Sequence, residues 1–154
     1  MRTFTGISEL ATAVGQTLGP GPWLRIDQSR VDLFADATDD HQWIHTDPER
    51  AAAGPYGGTI AHGFLTLSLL PALVGRLYRV DGVRMGVNYG LNRVRFPAPV
   101  VVGGSIRATA VIQDVSGIDG GAQLVTRVQV DSDAGGKPCC VADTVSRLYL
   151  GSTR

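Results

Sequence analysis

Ile60-Ala61-His62-Gly63-Phe64-Leu65-Thr66-Leu67-Ser68-Leu69-Leu70-Pro71-Ala72-Leu73-Val74-Gly75-Arg76-Leu77-Tyr78 reads as one helix that is hydrophobic on nearly every side. Such a helix has no polar face to give to water, so other elements must enclose it. Pro71 lacks the N–H for one intrahelical bond and predicts a kink. A membrane span is excluded, because residues 64–78 are interrupted by Thr66, Ser68, Pro71 and Arg76 and fall short of the roughly 20 residues a bilayer core requires. The enclosing partner follows in sequence. Residues 85–96 read as a strand, and then Ile106, Ala108, Ala110 and Ile112 alternate with Arg107, Thr109 and Gln113, the period of a half-buried strand. Residues 123–130 and 139–150 give two more strands, and Gly and Asp in 117–121 and 133–137 supply the turn chemistry. The expected fold class is α+β, an antiparallel sheet wrapped around a long central helix.

Upstream, Ile7, Leu10, Ala11 and Val14 share one helical face within residues 5–18, and Gly19-Pro20-Gly21-Pro22 ends that helix. A short strand is expected over 23–26. Ser29 followed by Asp32 resembles a capping arrangement for a second helix that buries Val31, Phe34 and Ala35 and runs to about Ala37. Residues 38–58 lack periodicity and are rich in Asp, His, Pro and Gly, which predicts a long ordered loop with one turn near 47–52. Loops of that length in compact domains are usually functional.

With 154 residues the chain is long enough for one domain, 1–154, but not comfortably for two. Hydrophobic residues make up 44% and charged residues 18%, which describes a globular chain and not a disordered one. Lys and Arg total 14, balanced by 14 Asp and Glu, with no basic run, so nucleic acid is not an expected partner. The first residues carry no export signal, and the expected location is cytoplasmic. Adjacent Cys139 and Cys140 form neither a disulfide framework nor a metal-ligand spacing and read as buried strand residues.

The three histidines, His41, His45 and His62, lie in or beside the irregular loop together with Asp36, Asp39, Asp40 and Asp47. A carboxylate and an imidazole in one apolar cleft can hold a water between them and move its proton, although a polar loop also gathers Asp and His by composition alone. His41 and His45 stand four apart, but no Glu follows the first as in a zinc protease motif, and no metal is expected. No Gly-x-Ser-x-Gly elbow occurs, and Ser68 reads as a hydroxyl bonded back to a helix carbonyl. Gly63 stands at the start of the apolar helix, where the first N–H groups lack intrahelical acceptors. Its amide is a candidate donor to an enolate oxygen; the alternative reading is that the glycine allows tight packing of helix against sheet.

Phe34-Ala35-Asp36-Ala37-Thr38-Asp39-Asp40-His41-Gln42-Trp43-Ile44-His45-Thr46-Asp47, followed by Ile60-Ala61-His62-Gly63-Phe64, resembles the hydratase motif of the MaoC-like, (R)-specific enoyl-CoA hydratases. The resemblance covers essentially the whole chain and implies a single hot-dog domain. It implies Asp40 and His45 as the catalytic pair, not Asp39, and the Gly63 amide as oxyanion donor beside His62. The implied reaction is reversible addition of water to a trans-2-enoyl thioester, giving the (R)-3-hydroxyacyl product. The substrate is a coenzyme A or acyl-carrier thioester, no resident cofactor is needed, and a homodimer is the implied assembly.

Two departures stand out. Many family members have Asn-Pro where this chain has Gln42-Trp43, so Gln42 keeps hydrogen-bonding capacity while Trp43 either lines the acyl tunnel or anchors the loop. Some members carry a serine eight residues after the motif glycine; here that position is Pro71. On the strand before Phe96, Arg93 and Arg95 share one face and are candidates for coenzyme A phosphates or for plain solvated arginines, and Asn92 is a further pocket candidate. Two rival functions share the fold. One is an acyl-CoA thioesterase, and the other is a noncatalytic subunit of a heteromeric dehydratase.

Overall fold

The computed structural model describes residues 1–151; the last three residues of the expected 1–154 domain lie outside them. In chain order the elements are β1 (Arg2–Phe4), α1 (Ile7–Ala11), β2 (Thr17–Leu18), β3 (Leu24–Arg25), α2 (Gln28–Thr38), α3 (Trp43–Thr46), α4 (Pro48–Ala52), α5 (Gly63–Ser68), α6 (Leu70–Val74), β4 (Tyr78–Val80), β5 (Val83–Arg95), β6 (Ser105–Ile118), β7 (Gly121–Ser132) and β8 (Cys140–Leu150). The main sheet is antiparallel in the order β2-β6-β7-β8-β5, with β3 also on β6, while β1 and β4 form a parallel pair. Ile106, Ala108, Ala110 and Ile112 of β6 are all buried, as their alternation predicts, and with Leu124, Val128 and Val130 of β7 they form the floor on which Leu65, Leu70 and Leu73 rest. This is the hot-dog arrangement, a sheet curled around a helix.

The helix differs from expectation in length. It begins at Gly63 and not at residue 60, because Ile60 bridges to Val101 and its N–H donates to the Ile44 carbonyl. It divides at Leu69 into α5 and α6, since Pro71 in the first turn of α6 has no N–H to continue the ladder. It ends at Val74, and Tyr78 opens β4 instead. Nor is it enclosed all round: Phe64 is 69% exposed and Pro71 is exposed, so part of its apolar surface has no cover among the described residues.

The first helix is also shorter than its periodicity predicts, because Thr17 and Leu18 pair with Val111 and Ala110 of β6. The strand expected over 23–26 narrows to Leu24–Arg25. For α2 the cap is Asp27, not Ser29: the Asp27 carboxylate accepts from the Arg30 N–H and the Ser29 hydroxyl. The expected loop contains two short helices, α3 and α4, and Asp47 caps the second by accepting from the Arg50 N–H.

Candidate active site

Three segments meet at the amino end of α5. The first arrives from α2, which Asp39 ends in the left-handed conformation (φ 59°), a region that Asp tolerates better than most residues. That reversal delivers Asp40. The second is α3, with Trp43 at its first position, where an N–H has no intrahelical acceptor and proline is also accommodated. The Trp43 ring lies under the Arg50 guanidinium at 4.4 Å and against Gly54, where an added Cβ would stand 3.1 Å from the indole. Trp43 thus anchors α3 to α4 and does not line the cleft. The third segment, residues 59–62, leads into α5.

One turn into α3, buried His45 is held at both ends. Its Nδ1–H donates to the Ile60 carbonyl at 2.7 Å, and because a carbonyl can only accept, the lone pair is left on Nε2. Its own carbonyl accepts from the Gln28 amide at 2.7 Å, and the Gln28 oxygen accepts from the buried Thr59 hydroxyl. Burial pushes the His45 pKa below its ordinary 6.5, with neighbouring His62 acting in the same sense and the Ile60 bond and Asp40 opposing. The imidazole is a neutral base.

His62 is 2% exposed, stacks on His45 and is not among the residues that line the cleft. Its Nε2–H donates to the Asp40 main-chain carbonyl at 2.9 Å, and its ring stacks on that of His45 with centroids 3.8 Å apart and planes 23° from parallel. The Asp40 carboxylate remains half exposed, with Oδ2 3.9 Å from His62 Nε2. One ligating atom each of Asp40, His45 and His62 lies within 4.8 Å of the others. Two groups at that separation can be bridged by one water making hydrogen bonds of about 2.8 Å. These three are also the residues that could hold a metal. Stacked rings, however, point their lone pairs along nearly parallel planes, whereas tetrahedral zinc needs lone pairs that converge on one point about 2 Å away.

The cleft beside His45 has a volume of ≈ 460 Å³ and is lined by Tyr56, Gly63, Thr66, Phe96 and Cys139, among others. Gly63 fits both readings of its role. It faces this cleft at the first position of α5, and a Cβ there would meet the Phe96 ring at 2.9 Å, so only glycine allows that ring so close.

The remaining sequence candidates lie elsewhere. Gln42 is exposed and caps α3 without a side-chain bond. Asn92, Arg93 and Arg95 are exposed along β5 and line no part of the cleft; Arg95 donates to the Val94 carbonyl, and Arg93 pairs in register with Asp143. Asp36 and His41 face each other at 3.7 Å on the exposed surface. The Ser68 hydroxyl donates to the Phe64 carbonyl, as read. Cys139 and Cys140 are buried, and burial pushes their thiols up to about 12 and about 11. Sequence reasoning missed Gln28, Thr59 and Tyr56. No pattern signals them, since each matters only through a partner 17 to 31 positions away or a shared wall of the cleft.

A hot-dog sheet curled on a short helix, with a carboxylate and a neutral imidazole beside that helix's first amide, defines a hot-dog domain of the dehydratase type. Residues 9–134 match the MaoC like domain, and the chain belongs to that family. It is 54% identical over 150 residues to 3-hydroxyacyl-thioester dehydratase Z of Mycobacterium tuberculosis, covering 96% of this chain and 98% of the relative. Among solved structures it is similar to the (R)-hydratase from A. caviae involved in PHA biosynthesis (TM-score 0.68, 27% identity, 88% of this chain and 96% of that one). The unliganded R-hydratase PhaJ1 from Pseudomonas aeruginosa shares the fold (TM-score 0.72, 23% identity, 96% and 88%). Among the described residues, no helix is long and apolar enough to cross a membrane.

Proposed function

We propose that this chain catalyses reversible hydration of trans-2-enoyl thioesters to (R)-3-hydroxyacyl thioesters, acting in the opposite direction as a 3-hydroxyacyl-thioester dehydratase. The observation that carries this reading is the approach of a carboxylate oxygen of Asp40 and a ring nitrogen of His45 to within 4.8 Å, a gap one water spans, with Gly63 lining the same cleft as His45. The pair holds the water. Asp40 takes a proton as the water oxygen bonds to C3, and the electron pair of the double bond shifts toward the thioester oxygen. That oxygen accepts from the Gly63 N–H, a donor placed where charge develops. The pair then returns the proton to C2, so one water is added and nothing is oxidised. No resident cofactor enters, and the stacked imidazoles favour proton chemistry over metal chemistry.

A second, largely apolar groove of ≈ 640 Å³, lined by Leu67, Pro71, Val74, Leu91 and Leu148, is the proposed bed for the acyl chain. The partner is a second copy of the chain. β5 is an edge strand with Met85, Tyr89 and Leu91 about half exposed, and Phe64 on α5 is barer still; a bare apolar edge of this kind is normally paired or covered. Two free cysteines fit a reducing compartment such as the cytoplasm.

The purified chain is to be incubated with crotonyl-CoA while the absorbance of the conjugated thioester and free thiol are both followed. Loss of absorbance without thiol, abolished in Asp40→Asn and in folded His45→Ala, is the expected result. Thiol release would establish a thioesterase, and silence a noncatalytic subunit. Sedimentation at the mass of one chain would refute the dimer.

A further inference from the structure

His62 is a buried imidazole that the proposed reaction does not use, and its surroundings are specific. Its Nε2–H reaches the main-chain carbonyl of Asp40 across 22 positions of sequence, its face covers His45, and its other side meets Phe34 with centroids 5.0 Å apart. Its Nδ1 is buried with no hydrogen-bond partner among the described residues. A histidine kept for packing alone has no need of a hydrogen bond to one catalytic residue and a stacked contact with the other. An aromatic ring of similar size would fill the space without leaving a buried nitrogen unpaired.

We propose that His62 is a positioning residue that fixes the separation of Asp40 and His45. It does so by tying down the Asp40 backbone with one N–H and by setting the plane of the His45 ring. Asp40 needs such a tie, because its carboxylate is half exposed and it follows the left-handed residue that ends α2, with no helix of its own to hold it. His45 is already fixed by Ile60 and Gln28. Without His62, the exposed member of the pair is free to swing away from the bound water. This role rests on the reading of Asp40 and His45 as the catalytic pair.

Two substitutions isolate the single bond. Glutamine places an amide nitrogen where the imidazole has Nε2, while asparagine of similar polarity places one where it has Nδ1; both lose the stacked ring. His62→Gln and His62→Asn are to be assayed on crotonyl-CoA beside wild type and Asp40→Asn. The expected result is a kcat for His62→Gln at least tenfold above that of His62→Asn, with KM in both within about threefold of wild type. Equal kcat values in the two variants would overturn the proposal, as would a loss expressed in KM, which would mean direct substrate contact. If Asp40→Asn itself turns over like wild type, the reaction assignment falls, and the positioning role falls with it; a dead Asp40→Asn with equal Gln and Asn variants removes the positioning role alone. Nitrogen-15 shifts of the wild-type imidazoles give a reading that needs no variant. They are expected to show the Nε2–H tautomer for His62 and Nδ1–H for His45, and the Nδ1–H tautomer at His62 would also overturn the proposal.

Discussion

Replacing Gln28 by alanine removes the clamp that holds the main chain of His45. The Gln28 side chain donates to the His45 carbonyl at 2.7 Å and to Asp32 at 2.8 Å, and it accepts from the Thr59 hydroxyl. Thr59 is 5% exposed, so its hydroxyl cannot turn to water when the acceptor is gone. An orphaned buried polar group costs about 1–3 kcal/mol, and the part-buried carbonyl recovers some of its loss from solvent, so the net destabilisation is about 2 kcal/mol. For a chain of this length that corresponds to a fall in Tm of about 4–8 °C. Urea unfolding followed by circular dichroism measures it, with kcat on crotonyl-CoA alongside. Activity is expected to fall several-fold below the melting range, because the backbone carrying His45 loosens. Thr59→Val removes the orphan, so the double variant is expected to lose less than the sum of the single ones, by about 0.5–1.5 kcal/mol. An unchanged midpoint in Gln28→Ala, or strictly additive losses, would show that Gln28 does not clamp Thr59 and the His45 main chain.

Three other outcomes follow from the geometry. Because burial holds the folded pKa of His45 below 6.5, the neutral base persists to a pH under 6.5 and kcat/KM then falls as acid is added. The same shift contributes stability that is present above pH 6.5 and lost as pH drops through the folded value, since the unfolded chain takes up the proton first; His45→Gln should flatten that part of the stability profile. Gly63→Ala pushes a methyl to 2.9 Å from Phe96, a ring 39% exposed and able to swing aside, so the fold should survive while turnover drops at least tenfold. Phe96→Ala in the same chain should restore part of the lost turnover, and no recovery would show that the clash is not the cause. With thiols pushed to about 12 and about 11, Cys139 and Cys140 should resist a thiol reagent at pH 8 in the folded chain and react fully in denaturant; prompt labelling of native protein would contradict their burial.

The sheet and the apolar helix were legible in the chain because side-chain period records which face meets the core: Ile106, Ala108, Ala110 and Ile112 alternate in sequence and are buried in the fold. The carboxylate and imidazole at positions 40 and 45 were legible through motif resemblance, since the spacing of a loop is a local property. Helix ends were less so. Asp27 displaced Ser29 as a cap, and Thr17 and Leu18 left their helix for β6, because competing partners far along the chain decide such boundaries. The open face around Phe64 carried no sign in the sequence either, since hydrophobicity demands a cover without saying whose. How the pair is held emerges only in the folded chain: Gln28 on His45 from 17 positions away, Ile60 from 15, and His62 on Asp40 from 22. A hydrogen bond needs two atoms at one place, and that coincidence is fixed by the path of the backbone between them, which no periodicity in the sequence encodes.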